Sequence, residues 1–156
     1  MSKQWLIIDG YNALHYIPEF RKYISGDIEE GRHQLIDLVS NYQGYHGGKV
    51  TLVFDAHKTA RIAKDRSAYR NIEIIFSRKN ETADSVIEKM VYESDDKDSI
   101  CVVTSDRVFR MTVFGMRVQV MTVEIFLKAI ALEMKETWQR VKMDAYKPLN
   151  NRVWTD

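Results

Sequence analysis

Four aspartates hold most of the chemical potential of this 156-residue chain: Asp9, Asp55, Asp84 and Asp106. Asp9 ends the apolar run that starts at Trp5, Asp55 directly follows Val50 to Phe54, and Asp106 follows Ile100 to Val103 by way of Thr104 and Ser105. The fourth lies in Glu81-Thr82-Ala83-Asp84, one short loop beyond Ile72 to Phe76. In an open α/β sheet, ligands bind beyond the carboxyl ends of the strands, near the point where strand order reverses. Acids in these positions therefore share one edge. Carboxylates crowded together repel and raise one another's pKa unless a cation lies between them. Oxygen donors without cysteine or paired histidine favour Mg²⁺ or Mn²⁺ over zinc. Such an ion activates water and screens a phosphodiester as it gains charge.

Each acid also has a plainer reading. An Asp between a strand and a helix is often an N-cap, which is the favoured role for Asp27 and a serious one for Asp84 and Asp106. For Asp55, a cap or turn weighs equally with chemistry. The plain reading is weakest at Asp9, where Asp9-Gly10-Tyr11-Asn12 sets an acid, a flexible turn and an amide right after a strand.

The elements that position these acids are legible as an alternation. Trp5 to Ile8, Val50 to Phe54, Ile72 to Phe76, Ile100 to Val103 and Val118 to Met121 are β-branched and aromatic on consecutive positions, as strands covered on both faces are. Between them, Asp27 opens a helix with Leu35, Leu38, Val39 and Tyr42 on one face, ended by Gly44 and Gly47-Gly48. Ala83, Val86, Ile87, Met90 and Val91 mark a second helix. A third begins at Thr122 and buries Phe126, Ala129, Ile130 and Met134. This order predicts an α/β domain, a three-layer α/β/α sandwich around a mostly parallel sheet of about five strands. If the first and fourth strands are neighbours, Asp9 and Asp106 face each other across the switch point. The domain is expected over residues 1–140. Residues 141–156, with Pro148 and Asn150-Asn151, read as an irregular C-terminal tail in which Trp154 is the candidate to dock on the domain.

Several function classes drop out. The one cysteine, Cys101, excludes an internal disulfide framework and a multi-cysteine zinc site. No Gly-x-Ser-x-Gly elbow accompanies Ser105, and His15, His33, His46 and His57 lack a triad context, so each histidine reads as a surface or packing residue. Neither a phosphate-binding Gly-rich loop nor Gly-x-Gly-x-x-Gly occurs, so no nucleotide cofactor is expected. The N-terminal apolar run is too short for a signal peptide and no run nears bilayer length. The expectation is a cytoplasmic protein without a membrane partner.

With 23 basic and 22 acidic residues the net charge is +1, which by itself points to no polyanion. By position it resolves into opposed blocks. From Ala56 to Asn80 there are seven bases (Lys58, Arg61, Lys64, Arg66, Arg70, Arg78, Lys79) and two acids, giving +5. From Glu81 to Asp98, seven acids and two bases give −5. The basic block follows Asp55 and would emerge at the acidic edge, where it suits an RNA backbone, with Tyr69 available to stack on a base. A solvated surface stretch explains it equally well.

Five segments together resemble the YacP-type NYN-domain family of PIN-like nucleases: Leu6-Ile7-Ile8-Asp9-Gly10-Tyr11-Asn12, Glu30-Gly31-Arg32-His33-Gln34-Leu35, Val50 to Ala56, Glu81-Thr82-Ala83-Asp84 and Val102-Val103-Thr104-Ser105-Asp106-Arg107. The resemblance implies a metal-dependent endoribonuclease acting on single-stranded RNA, with family members acting on mRNA at the ribosome. It carries Asp9, Asp84 and Asp106 over as Mg²⁺ or Mn²⁺ ligands and Asn12 as the group that orients the scissile phosphate. Ser105, Glu81 and Asp55 would line or support the site, and Arg32 would reach toward the acids or the substrate. The chain departs from the family pattern at Arg107-Val108-Phe109-Arg110 and Gly115-Met116-Arg117. The competing expectations are a non-catalytic RNA- or ribosome-binding module in which the acids serve as caps, and a DNA-cleaving PIN-like nuclease.

Overall fold

The computed structural model describes residues 4–56, 66–69 and 71–154, the side chains of 66–69, 138 and 144–154 excepted. The five expected strands are all present: β1 (Trp5–Asp9), β2 (Lys49–Phe54), β4 (Ile72–Phe76), β5 (Ile100–Val103) and β6 (Gln119–Met121). A sixth, β3 (Arg66–Tyr69), lies at the edge and pairs antiparallel with β4. The sheet order is β3-β4-β2-β1-β5-β6, and every other pairing is parallel. β1 therefore lies between β2 and β5, with Ile8 opposite both Leu52 and Val103. The chain leaves β1 to one side and later returns to the other, which makes the β1/β5 boundary the switch point.

Strand residues alternate between two dry cores. Leu6, Ile8, Leu52, Phe54 and Val103 pack with Leu14 of α1 (Gly10–Tyr16), with Leu35, Val39 and Tyr42 of α2 (Ile28–His46), and with Phe126 and Ile130 of α5 (Val123–Trp154). Ile7, Val53, Ile75 and Val102 pack on the opposite face with Ile87 and Val91 of α3 (Ala83–Glu93) and with Phe109 and Val113 of α4 (Arg107–Phe114). Cys101 is buried, and desolvation pushes its thiol up to about 11. Thr51 is fully buried and satisfied: it accepts from Trp5 Nε1 at 2.9 Å and donates to Glu73 at 3.1 Å.

Three expectations are corrected. The turn at Gly10-Tyr11-Asn12 is the first turn of α1, because Asp9 caps it and Ala13, Leu14 and Ile17 bury into the core. Met134 is 40% exposed, since α5 has moved past the core by then; Val123 is buried instead. The expected irregular tail is helical: α5 runs through Trp154, as the run of good helix formers from Met134 to Lys147 carries the backbone on past Pro148. The Trp154 side chain lies outside the described residues. Among those residues, no helix is long and apolar enough to cross a membrane.

Candidate functional site

Asp9 ends β1 and also caps α1, its carboxylate accepting from Asn12 N at 3.4 Å. The strand passes into a helix with no loop between them, and Gly10 makes this possible. A Cβ there would overlap the Phe54 ring and stand 3.0 Å from the Val53 carbonyl. Tyr11 packs edge-on against Phe54 at 5.2 Å, which in turn stacks on Phe76 at 5.5 Å. The Tyr11 hydroxyl receives a hydrogen bond from Arg32 at 3.1 Å. Burial raises the Tyr11 pKa, and the nearby Arg32 works against that rise.

The segment after β5 is bound just as closely. Ser105 N donates to Asn12 Oδ1 at 2.6 Å, Asp106 N donates to Thr104 Oγ1 at 3.2 Å, and Asp106 caps α4 by accepting from Phe109 N at 3.1 Å. The Ser105 hydroxyl accepts from Val123 N at 2.9 Å, at the start of α5. Because the Ser105 amide engages the Asn12 carbonyl oxygen, Asn12 offers a ligand its NH₂ donors.

Asp84 is held differently. The cap of α3 is Thr82, which exchanges hydrogen bonds with Ser85 in a capping box, and Asp84 sits one position inside the first turn. Burial raises its carboxyl pKa, and the charges of Asp106, Glu88 and Asp55 raise it further. The helix N-terminus favours the charged form, but not enough to reverse that direction. Asp55 follows β2 in a loop fixed by Ser77, whose N donates to the Phe54 carbonyl and whose Oγ accepts from Ala56 N, both at 2.9 Å.

A cavity of about 640 Å³ opens at this edge, and Asp9, Asn12, Asp55, Asp84 and Asp106 all line it. Thus the edge predicted from strand ends is real, and Asp9 and Asp106 flank the switch point. The far wall is formed by Ile24, Ser25, Gly26 and Ile28, ahead of and at the start of α2. His15 also lines the cavity, contrary to its reading as a surface or packing residue. Its position three residues after Asn12 puts both on one face of α1, a signal that becomes visible once Gly10 to Tyr16 is read as a helix.

Other expected residues lie elsewhere. Arg32 is committed to Tyr11, to Glu29 at 3.7 Å and to the face of Phe76 at 5.8 Å, and does not line the cavity. Ser105 is likewise engaged, through its N–H with Asn12 and through its hydroxyl with Val123 N, and does not line the cavity. Glu81 accepts from Arg78 N at 3.1 Å and lines a separate groove with Arg78 and Lys89. Lys58, Arg61, Lys64 and Arg70 lie outside the described residues, as do the side chains of Arg66 and Tyr69.

The donors suit a hard divalent cation: four carboxylates, no sulfur, and one carboxyl whose pKa is raised by burial and then by its neighbours' charge. Among the described residues no group of three or more His, Cys, Asp or Glu side chains is drawn together closely enough to hold a metal ion.

A profile for the YacP-like NYN domain matches residues 6–154. The Bacillus subtilis (strain 168) protein named Uncharacterized protein YacP is 37% identical over 111 residues, 70% of this chain and 65% of that protein. The aligned part thus spans slightly less than two thirds of the relative. A crystal structure of Rae1 (YacP) from Bacillus subtilis superimposes with a TM-score of 0.75 at 31% identity, covering 98% of this chain and 87% of the other. The W164L mutant of the same protein gives 0.75 at 29% identity, covering 92% and 84%.

Proposed function

The chain belongs to the YacP-like NYN domain family, and from that premise we propose that it is a Mg²⁺- or Mn²⁺-dependent endoribonuclease that hydrolyses phosphodiester bonds in single-stranded RNA. The observation that carries the reading is the convergence of Asp9, Asp55, Asp84 and Asp106 with the Asn12 amide on one cavity at the switch point. The family extends the proposal to mRNA presented at the ribosome, in the cytoplasm.

Asp9, Asp84 and Asp106 would hold the ion. When bound, it supplies an activated water and screens the charge that develops on the phosphodiester. The chain's own residues do the positioning. The caps of α1 and α4 fix the Asp9 and Asp106 carboxylates against backbone N–H groups. The Asn12 NH₂ donates toward a phosphate oxygen and aligns the bond to be cut. His15 adds an imidazole that hydrogen-bonds a phosphate or stacks on a base. Without positive charge between them, these carboxylates would repel the substrate; the charges of Asp106, Glu88 and Asp55 already add to the burial that raises the Asp84 pKa.

The test is cleavage of end-labelled single-stranded RNA with Mg²⁺ or Mn²⁺, with EDTA, and with Asp106→Asn. Cleavage should require the metal and vanish in the variant; full activity in EDTA would sink the proposal. One observation favours a rival reading, a non-catalytic RNA-binding module: Asp9 and Asp106 both cap helices. That reading predicts RNA retention with no metal-dependent turnover.

A further inference from the structure

The exposed face of α4 combines positive charge with apolar surface. Phe109 and Val113, four residues apart, anchor the helix at 3% and 0% exposure. On the opposite side Val108, Met111 and Phe114 are 75%, 65% and 68% exposed. At 100° per residue, Arg107, Met111 and Phe114 form one stripe about 10 Å long, with Arg110 beside it. From Arg107 to Val118 there are three arginines and no acid, a charge of +3. None of the three guanidinium groups makes an ion pair or hydrogen bond among the described residues. Arg117 lies just past the helix at φ 70°, the one described non-glycine residue with positive φ, where glycine would sit with less strain.

The stripe begins at the cavity. Asp106, which lines it, is the N-cap of α4, so Arg107 is the first residue beyond the acids. We propose that α4 is the track along which single-stranded RNA leaves the cavity, with Arg107, Arg110 and Arg117 on its phosphates and Phe114 and Met111 beneath its bases. The proposal deepens the nuclease reading and rests on it for the ligand. Charge complementarity selects the occupant: three unpaired arginines interleaved with an exposed aromatic suit a single strand, which offers both phosphates and unstacked bases. A second copy of the chain would have to bring its acidic Glu81 to Asp98 block onto this helix, an outcome that sedimentation separates from RNA binding.

Binding is measured by fluorescence anisotropy of a fluorescein-labelled oligouridine across a salt titration, in an Asp84→Asn background so that the strand stays intact. Replacing Arg107, Arg110 and Arg117 together by alanine should weaken binding at least tenfold. It should also flatten the dependence of log Kd on log salt by about 2, at roughly 0.7 per lost phosphate contact. Phe114→Ala should weaken binding about fivefold or more with the slope unchanged, because stacking does not release counterions. Arg117→Gly relieves the positive φ and should raise Tm while still losing affinity, so a folding defect cannot mimic the effect. Unchanged affinity and slope in the triple variant overturn the proposal. So does a Phe114→Ala variant that alters only sedimentation of the protein with itself. Cleavage of end-labelled single-stranded RNA by the wild-type protein with Mg²⁺ or Mn²⁺ tests the nuclease reading separately: no cleavage alongside the expected anisotropy losses would overturn the nuclease and keep α4 as an RNA surface.

Discussion

Asp9, Asp27 and Asp106 all cap helices, accepting from a backbone N–H three residues on at 3.4, 3.1 and 3.1 Å. Their surroundings differ. Asp27 follows a 3-10 turn, Pro18–Tyr23, and opens α2 among Glu29 and Glu30. Asp9 and Asp106 follow adjacent parallel strands and line one cavity with Asp55 and Asp84. Capping and ligand binding look like alternatives in the sequence, yet at the sheet edge capping is what holds a carboxylate in place for chemistry. What precedes the cap decides its use: a central strand delivers it to the switch point, a turn delivers it to solvent.

The largest expected effect separates these two kinds of cap. Asp9→Asn or Asp106→Asn should lower RNA cleavage roughly a thousandfold or more. Stability should change little, since Asn caps about as well as Asp. Asp27→Asn should alter neither cleavage nor Tm, and an equal loss of cleavage there would break the comparison. Next is Gly10→Ala, which forces a methyl against Phe54 where strand meets helix. It should cost about 2 kcal/mol and lower Tm by several degrees in a calorimetric scan. Asp27→Ala removes a cap whose own side chain does not line the cavity and should cost about 1 kcal/mol with cleavage intact.

The smallest effect concerns the acid that caps nothing. Because the Asp84 pKa is raised in the folded chain, the folded state keeps that proton to higher pH than the unfolded chain does. The resulting penalty is absent below the ordinary carboxylate range and grows as pH rises through the raised value. Asp84→Asn should therefore raise Tm slightly at neutral pH and leave it unchanged near pH ~3, while abolishing cleavage. A fall in Tm at neutral pH would show that the Asp84 charge is compensated within the protein.

Most of the sheet was legible because buried parallel strands are continuous apolar runs, and the acids at their ends were legible for the same reason. β3 was not: Arg66-Ser67-Ala68-Tyr69 is an edge segment without such a run. α1 and α4 were missed because each is short, and α4 buries only Phe109 and Val113. Missing α1 concealed His15. The placement of Arg32 was out of reach as well, because the resemblance pointed it toward the acids and only the folded chain shows Tyr11 and Phe76 meeting it first.

The central position of β1 has a consequence for the order in which the molecule is made. β1 is among the first segments synthesised, yet one of its partners, β5, lies almost a hundred residues later, since Asp9 and Asp106 are 97 positions apart (106 − 9). Contacts of that range form late, after the intervening chain has closed its loop. A growing chain therefore carries its acids separately, and the carboxylate edge comes into being only when synthesis has passed β5. On the proposed reading, a ribosome making this protein is safe from it until the domain is nearly complete.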